Sequence, residues 1–321
     1  MKIKLKNIIV GSLSVLIACS SYGQTKKPFE STDYQVEYTS NDGRITGEYA
    51  SKYANGMSKA NGQLINGYKY GDWKIYDSTG ALVMHRLYTS PFEFTRIYPE
   101  HSEEGPVQTL AQSIYKVEKN EDGYMPYFQI HQRSVKWSKR VWRNIDLADN
   151  EELFKGDRLY RLFCDLTNDG SIKIYGVEND EFTDELEYRT EDFKDQAPIR
   201  YKIKEESFFD SDRMEMETRI IGICPVAEAN GETKDLFWVY LPEARAHLAK
   251  NKVKSDFPER IKTYDDLFFL RDFASSIYME SNYSSKPIAS YKQGAEIQKE
   301  AERIEMSILN KEIDILLSLS Q

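Results

Sequence analysis

Residues that could carry out chemistry are few in this 321-residue sequence, and they form no known catalytic pattern. The four histidines occur singly: His85, His101, His131 and His247. The sequence has no HExxH pair, Cys-x-x-Cys pair, G-x-S-x-G turn or phosphate-binding P-loop. Acidic stretches such as ENDEFTDELE could supply a general acid and base, but they are commonplace among 52 acidic residues. The sequence therefore predicts a protein that is not an enzyme and uses neither a cofactor nor a metal.

One short segment, KWSKRVWRNIDL at residues 136–147, holds two tryptophans and four basic residues. Tryptophan and arginine are the side chains most enriched at the energetic centres of protein interfaces. We therefore predict protein contacts through Trp137, Arg140, Trp142, Arg143 and Asp146, with Arg271 as a further candidate. The apolar spacing predicts a short helix here, in which Asp146 would pair with Arg140 or Arg143. The alternative is structural, with Trp142 anchoring that helix to the core.

The first residues have the pattern of an export signal. A basic start, MKIKLKN, precedes an apolar stretch of eleven residues, which is too short to span a bilayer. Cleavage after Gly23 would remove residues 1–23 and change the formal charge from −9 to −12. The alternative is the bacterial lipobox LIAC, in which residues 1–18 are removed and Cys19 is lipidated. Such an acidic chain is not expected to bind nucleic acid, because phosphate recognition depends on basic side chains.

The remaining composition indicates a folded, exported protein with a large core. Hydrophobic residues make up 40% of the chain and charged residues 30%, a balance that does not favour overall disorder. Beyond the signal, the cysteines are Cys164 and Cys224, each in an apolar context. They could form one disulfide or remain as two buried thiols, and the sequence leaves both alternatives open.

Residues 24–130 are rich in tyrosine and glycine and predict an antiparallel β segment. In residues 66–90, aromatic and β-branched side chains alternate with polar ones on both sides of a turn at residues 77–80. This stretch resembles a MORN or YwqK-type hairpin repeat through Gly67, Gly71, Trp73, Tyr76 and Gly80. A weaker copy around TGEYASKYANG could precede it, and an ordinary β-meander is the alternative.

Residues 131–321 predict a second, mixed domain, so that the fold class is α+β. YMPYFQIHQ at residues 124–132 predicts a strand leading into this domain, and NDGSIKIYG a hairpin with its turn at residues 169–170. The apolar runs RIIGICPV and LFWVYL predict two central strands around a turn at residues 230–231.

The last sixty residues predict helices. Thr263 is a candidate N-cap for a helix whose apolar face would run from Leu267 to Ile277. The tail predicts a further helix with one apolar stripe: Ile297, Ala301, Ile304, Ile308 and Ile315. We expect that stripe to pack on the sheet, with a partner-binding helix as the less direct interpretation.

Five blocks of the second domain carry a resemblance to a known family: KWSKRVWRNIDLADNEE, FFDSDRMEMETRIIGICPV, LFWVYLPEARAHLAKNKV, RIKTYDDLFFLRDFASSIYMESN and EAERIEMSILNKEIDI. In this order they resemble the GldN/PorN family of gliding-motility and type IX secretion proteins over residues 137–316. The tyrosine-rich segment before residue 130 departs from the short leader that this family usually has.

The resemblance implies a non-enzymatic periplasmic scaffold associated with the outer membrane. Such a protein forms a ring with a GldK/PorK-like lipoprotein and contacts a GldM/PorM-like shaft anchored in the inner membrane. The resemblance supplies no catalytic residue. An alternative function from another class is an envelope-associated module that binds glycan or protein through the exposed rings of the N-terminal β segment.

Overall fold

The fold consists of two antiparallel β-sheets that share a long C-terminal helix, which confirms the α+β class. The computed structural model describes residues 25–30, 34–41, 44–90, 93–99 and 119–319, apart from 152, 155, 188, 194–195, 230, 254–260 and 283–285. The predicted signal and Cys19 lie outside the described residues. Sheet 1 is a meander in chain order: β1 (Thr25–Glu30), β2 (Tyr34–Asn41), β3 (Arg44–Tyr53), β4 (Ser58–Ile65), β5 (Tyr68–Tyr76), β6 (Leu82–Ser90) and β7 (Glu93–Tyr98).

Sheet 2 is built by the second part of the chain. Its strands are β8 (Val135–Asp146), β9 (Ile174–Tyr175), β10 (Pro198–Asp210), β11 (Glu215–Ala229), β12 (Glu232–Asp235), β13 (Trp238–Tyr240) and β14 (Ser276–Glu280). Their spatial order is β14-β8-β10-β11-β13-β9, and β12 pairs with β11 through Ala229 and Glu232. The predicted central strand LFWVYL is a strand only at Trp238–Tyr240, which also pairs with β11, and a helix begins at Leu241. The helices are α1 (Arg158–Asn168), α2 (Thr190–Phe193), α3 (Leu241–Leu248), α4 (Tyr264–Leu270) and α5 (Ala295–Leu319). Helices α1, α3 and α4 bury their apolar side chains against sheet 2 in the largest core cluster.

The inner face of sheet 1 is apolar, as the alternation of its strands predicts. Trp73 of β5 is fully buried and lies over Gly62 of β4, where an added Cβ would be only 2.3 Å from the indole ring. The Trp73 indole donates a hydrogen bond of 2.9 Å to the Gln63 carbonyl, and its ring lies 5.1 Å from that of Tyr49. The predicted hairpin is confirmed, since β5 and β6 pair on either side of the turn at residues 77–80.

Helix α5 joins the two sheets. Its first half packs Ala301 and Ile304 against Val141 of β8 and Ile277 of β14. Its second half packs four buried side chains against the inner face of sheet 1: Met306, Leu309, Ile313 and Leu316. The predicted C-terminal helix is therefore confirmed, and it is buried on two sides. The two parts of the chain are joined by one apolar cluster, which contains side chains of sheet 1 and α5 together with Phe209 of β10.

The predicted helix around residues 136–147 is wrong, because this segment is strand β8. Val141, Arg143 and Ile145 are all buried on one face with a period of two, which a strand requires. The flanking β10 pairs with β8 along almost its entire length, from Asp146 to Val135. Pairing with this neighbouring strand outweighs the local apolar spacing, which also fitted a helix.

Three further expectations are corrected by the structure. Residues 169–170 end helix α1 and do not form a hairpin turn, and Gly170 takes φ of +77°. The helix after Thr263 stops at Leu270 because Arg271 is left-handed, with φ of 57°, and the chain then enters β14. Residues 124–131 form no strand. Their rings contact arginines instead, with Tyr127 lying 4.5 Å from the Arg245 guanidinium.

The predicted N-cap at Thr263 is confirmed as a full capping box. Its side chain accepts a hydrogen bond from the Asp266 backbone N–H at 3.2 Å, and the Asp266 carboxylate accepts one from the Thr263 N–H at 3.1 Å. We expect Thr263→Ala to lower the free energy of unfolding by about 1 kcal/mol, since one helix donor loses its partner. Urea denaturation measures this change, and a loss below about 0.3 kcal/mol would contradict the capping role.

Candidate functional site

The six predicted contact residues are divided by the structure into a buried group and a partly exposed group. Arg143 and Arg271 are 4% and 3% exposed, and Trp142 is 6% exposed. Trp137, Arg140 and Asp146 are intermediate in exposure. Only this second group can touch a partner without a change in the fold.

Arg143 and Arg271 hold a buried carboxylate between them. The Arg143 Nε donates to Glu205 Oε1 at 2.5 Å, and Arg271 donates to the other Glu205 oxygen. Burial alone would raise the pKa of Glu205, but the guanidinium groups of Arg271 and Arg143 hold it below its usual value. Glu205 is 1% exposed, so removal of either charge would leave its partner unpaired inside the protein.

This buried cluster reaches both α5 and sheet 1. Arg143 Nη2 donates to Glu305 Oε1 of α5 at 2.8 Å, and Arg271 donates to the Tyr68 hydroxyl of β5. Burial raises the pKa of Tyr68 to about 12, so the phenol is neutral at physiological pH. The charges of two guanidinium groups and two carboxylate groups balance one another at the place where both sheets meet α5. The physical role of Arg143 and Arg271 is therefore to position these elements.

A second set of polar contacts ties sheet 1 to the end of α5. The ammonium group of Lys69 pairs with Glu312 and donates to the Tyr88 hydroxyl at 2.9 Å. Burial would lower the pKa of Lys69, but the Glu312 carboxylate raises it above its usual value. The Tyr49 hydroxyl donates to Asn310 Oδ1 at 2.6 Å. These contacts fix the position of the helix on the sheet.

Asp146 forms an ion pair, but the predicted partner is wrong. Asp146 Oδ1 lies 2.9 Å from Arg200 Nε on the neighbouring strand β10. This is the cross-strand neighbour that the β8–β10 register places opposite it. The helical pairing with Arg140 or Arg143 cannot form, because β8 is extended.

Arg140 and Trp137 lie where β8 becomes the edge of sheet 2. Strand β14 pairs with β8 only from Val141 to Asn144, and Ser281 adds a 2.8 Å hydrogen bond to the Arg140 carbonyl. Among the described residues, Val135 and residues 137–139 therefore pair with β10 alone, and Lys136 lies at a register shift between them. Within the described part of the chain, no strand pairs with the other side of residues 135–139. This stretch, together with Arg140, is called the β8 edge below. The Arg140 side chain is 42% exposed and lies 3.4 Å from both Glu181 and Glu206.

The sequence did not reveal the carboxylates that pair with Arg143 and Arg271 and so keep these two arginines buried. Glu205 follows Tyr201 and Ile203 at alternating, fully buried positions of β10, so its place in an inward-facing row was a signal that could have been used. Glu305 and Tyr68 carried no such signal, because their contacts join residues far apart in the chain.

Among the described residues, one pocket of about 330 Å³ lies between sheet 1 and the end of α5, where it is lined by Tyr53, Lys59 and Asp314. No group of three or more His, Cys, Asp or Glu side chains converges as metal ligands in the described part of the chain. Cys164 and Cys224 are not bonded to each other, and burial raises the pKa of the Cys224 thiol well above its usual value. A cavity of about 60 Å³ next to Arg143 and Glu305 is of a size for a few water molecules.

Fold and site together define an α+β protein with buried ion pairs and with a stretch of β8 that, among the residues described, pairs on one side only. The family model described as gliding motility associated protein GldN matches residues 130–316, more than half of the chain. The chain belongs to the GldN family. No curated protein matches it.

The family places this chain among the structural components of the gliding-motility and type IX secretion machinery, which is associated with the cell envelope. The family is not known for an enzymatic activity. Within the described residues, no helix has both the length and the apolar character needed to cross a bilayer.

Proposed function

We propose that this protein is a non-enzymatic scaffold subunit of the type IX secretion and gliding machinery. The family match over residues 130–316 is the observation that carries this proposal. The protein would associate with copies of itself and a GldK-like lipoprotein in a ring, and would contact a GldM-like shaft. It would work in the periplasm at the outer membrane.

The β8 edge is the surface through which we propose that the subunit contacts a neighbour. Its backbone groups at residues 135–139 pair on one side only among the described residues, so a strand from another chain could add to sheet 2. Trp137 offers a half-buried indole, and the exposed Lys136 adds positive charge to a chain of net charge −9. The partly exposed Arg140 guanidinium belongs to the same edge and is shared with Glu181 and Glu206. An acidic strand of the partner would complement this edge.

The contact is tested by charge reversal at the edge. We expect Arg140→Glu to weaken co-purification with the GldK-like lipoprotein by about tenfold or more, because the new carboxylate beside Glu181 and Glu206 would repel an acidic strand. Trp137→Ala should act in the same direction by removing buried area. The measurement is the amount of lipoprotein that elutes with the tagged chain from detergent-solubilised envelopes.

Arg161→Glu is the matched control for this experiment. The Arg161 side chain is 72% exposed and forms a local ion pair with Asp157, the residue that precedes α1. It should leave co-purification unchanged. Equal recovery of the lipoprotein with Arg140→Glu, Trp137→Ala and the control would argue against contact at the β8 edge.

The attachment of the mature protein to the outer membrane is a separate proposal with two forms. Either the chain starts at Gln24 and is held by its partners, or Cys19 carries a lipid anchor. Mass spectrometry of the mature N-terminus distinguishes these forms, because lipidation adds the mass of the acyl chains to a peptide that begins at Cys19.

Glycan binding by sheet 1 is the second candidate function, and the exposure of two tyrosines favours it. Tyr70 and Tyr98 are 42% and 43% exposed, on strands β5 and β7. Trp73 is fully buried and cannot stack on a sugar. If sheet 1 binds glycan, the double substitution Tyr70→Ala with Tyr98→Ala should abolish retention on isolated cell-wall material. Unchanged retention would exclude these rings as the binding site.

A further inference from the structure

Residues 176–187 form a closed loop, called the strap below, that lies across sheet 2. The loop is closed by two backbone hydrogen bonds, from Gly176 N–H to the Asp184 carbonyl at 2.8 Å and from Leu186 N–H to the Ile174 carbonyl at 2.9 Å. A Cβ at Gly176 would be 2.5 Å from the Asp184 carboxylate, so a larger residue there would displace the exposed Asp184 side chain. The strap is acidic: Glu178, Asp180, Glu181, Asp184, Glu185 and Glu187.

The tip of the strap neutralises a buried lysine. The Lys204 side chain is 2% exposed, and its ammonium group donates to the Asp180 carbonyl at 2.7 Å, to Asp180 Oδ1 at 3.0 Å and to Glu181 Oε1 at 2.9 Å. All three acceptors belong to the strap. The Trp142 indole N–H also donates to the Asp180 carboxylate. The two polar groups beneath the tip therefore obtain these partners from the strap itself.

Phe182 anchors the strap as an apolar plug. Its ring lies over Gly222 of β11, where an added Cβ would be 2.5 Å from the ring. The rings of Tyr175, Tyr240 and Trp238 surround it at centroid distances of 5.7, 5.3 and 6.2 Å. Phe182 has φ of 57°, a left-handed conformation that is strained for an aromatic residue. The packing of the ring over Gly222, called the glycine seat below, thus holds the Phe182 backbone in an unfavourable conformation.

Removal of the strap would leave a groove lined by aromatic rings and one positive charge. Its floor would present the indoles of Trp142 and Trp238 beside the glycine seat, with the Lys204 ammonium at one end. A segment that fits must bring a carboxylate to the lysine and, two residues later, an aromatic ring to the seat, as Asp180 and Phe182 do. Trp142, predicted as a contact residue, would then become accessible to the partner.

We propose that the strap is a cis-acting cover on a peptide-binding groove, and that the partner of this groove is an acidic-aromatic segment of another protein chain. The strap itself shows the chemistry of the ligand, because it occupies the groove with Asp180, Glu181 and Phe182. The proposal deepens the function proposed above, on which it rests. Exchange of the strap for a partner segment would let Trp142 contact the partner, so that assembly would be coupled to opening of the strap.

Chemical labelling of lysines in the purified protein tests whether the strap is a cover. Phe182→Ala, alone and with Asp180→Ala, is expected to increase the rate of Lys204 acylation by about tenfold or more, because the plug that holds the loop closed is lost. Lys69, which is held between sheet 1 and α5 by its ion pair with Glu312, should react slowly in all variants and report that the fold is intact. The control Glu178→Ala removes a strap carboxylate for which the structure gives no partner, and should not change Lys204 labelling.

A peptide supplied in trans tests whether the groove binds a partner segment. A synthetic peptide of residues 176–187 should restore the protection of Lys204 in the double variant. The same peptide carrying Asp180→Asn and Phe182→Ala should not. Rapid Lys204 labelling that neither peptide slows would overturn the proposal, as would full protection of Lys204 in both variants.

Hydrogen exchange of the unaltered protein keeps the proposal testable if the variants do not fold. The strap amides of Gly176 and Leu186 should exchange about a hundredfold faster than buried amides of β10, because the cover opens locally. Exchange of these two amides as slow as that of β10 would show a fixed loop and overturn the cover. These measurements need no partner protein, so their failure is distinct from failure of the ring association.

Discussion

Glu205→Gln is expected to lower the free energy of unfolding by about 3–5 kcal/mol, which is a large part of the stability of an ordinary domain. The substitution preserves shape but removes the negative charge between Arg143 and Arg271, so two guanidinium groups remain buried with one carboxylate, Glu305, near them. Chemical denaturation followed by circular dichroism measures the change.

The adjacent residue provides a matched control for this prediction. Glu206 lies on the opposite face of β10, its side chain is 30% exposed, and it contacts Arg140 at 3.4 Å. We expect Glu206→Gln to change the free energy of unfolding by less than about 0.5 kcal/mol. Similar, small effects of both substitutions would contradict the central role of the buried cluster.

Trp73→Ala should destabilise the whole protein by about 3–5 kcal/mol, and the loss should extend beyond sheet 1. The indole fills the inner face of the sheet, and the same core includes side chains of α5 and Phe209 of β10. We therefore expect one cooperative transition in which signals from both sheets shift together. Thermal unfolding followed by near- and far-ultraviolet circular dichroism measures this.

Tyr70→Ala on the same strand is the control for Trp73→Ala. Tyr70 is exposed on the other face of the sheet, so its removal should cost less than about 1 kcal/mol. If Trp73→Ala melts sheet 1 separately and leaves the transition of sheet 2 in place, the two parts of the chain do not share a core.

This shared core has a consequence for experiments that shorten the chain. Deletion of residues 25–98 would expose Met306, Leu309, Ile313 and Leu316 of α5 to water. At about 1.5–3 kcal/mol for each large apolar side chain, the exposed face would cost several kcal/mol. Point substitutions on the outer surface are therefore better probes of partner binding than deletion of sheet 1.

Elements with strong local signals could be predicted from the sequence. The β5–β6 hairpin follows from alternation on both sides of a glycine turn, and the start of α4 follows from the capping pattern at Thr263. The C-terminal helix follows from its long apolar periodicity. In each case, residues close in the chain determine the structure, so no distant partner was needed.

Strand β8 could not be predicted with the same reasoning, because its conformation depends on distant strands. Residues of β10 some sixty positions later supply its hydrogen-bond partners, and Arg143 is buried only because Glu205 and Glu305 neutralise it. The predicted contact site stays a prediction, and sequence composition could not separate the buried Arg143 and Arg271 from the partly exposed Arg140. The strap could not be predicted either, since its acidic residues are also typical of an ordinary solvent-exposed loop.

Cross-linking mass spectrometry on intact cells tests the central claim most directly, namely that the β8 edge joins this subunit to its partners. An amine-reactive cross-linker should connect Lys136 or Lys139 to the GldK-like lipoprotein or to a second copy of the chain. The account predicts that these links disappear with Arg140→Glu and persist with Arg161→Glu. Links to the lipoprotein that arise only from other surfaces, and are unchanged by Arg140→Glu, would contradict it.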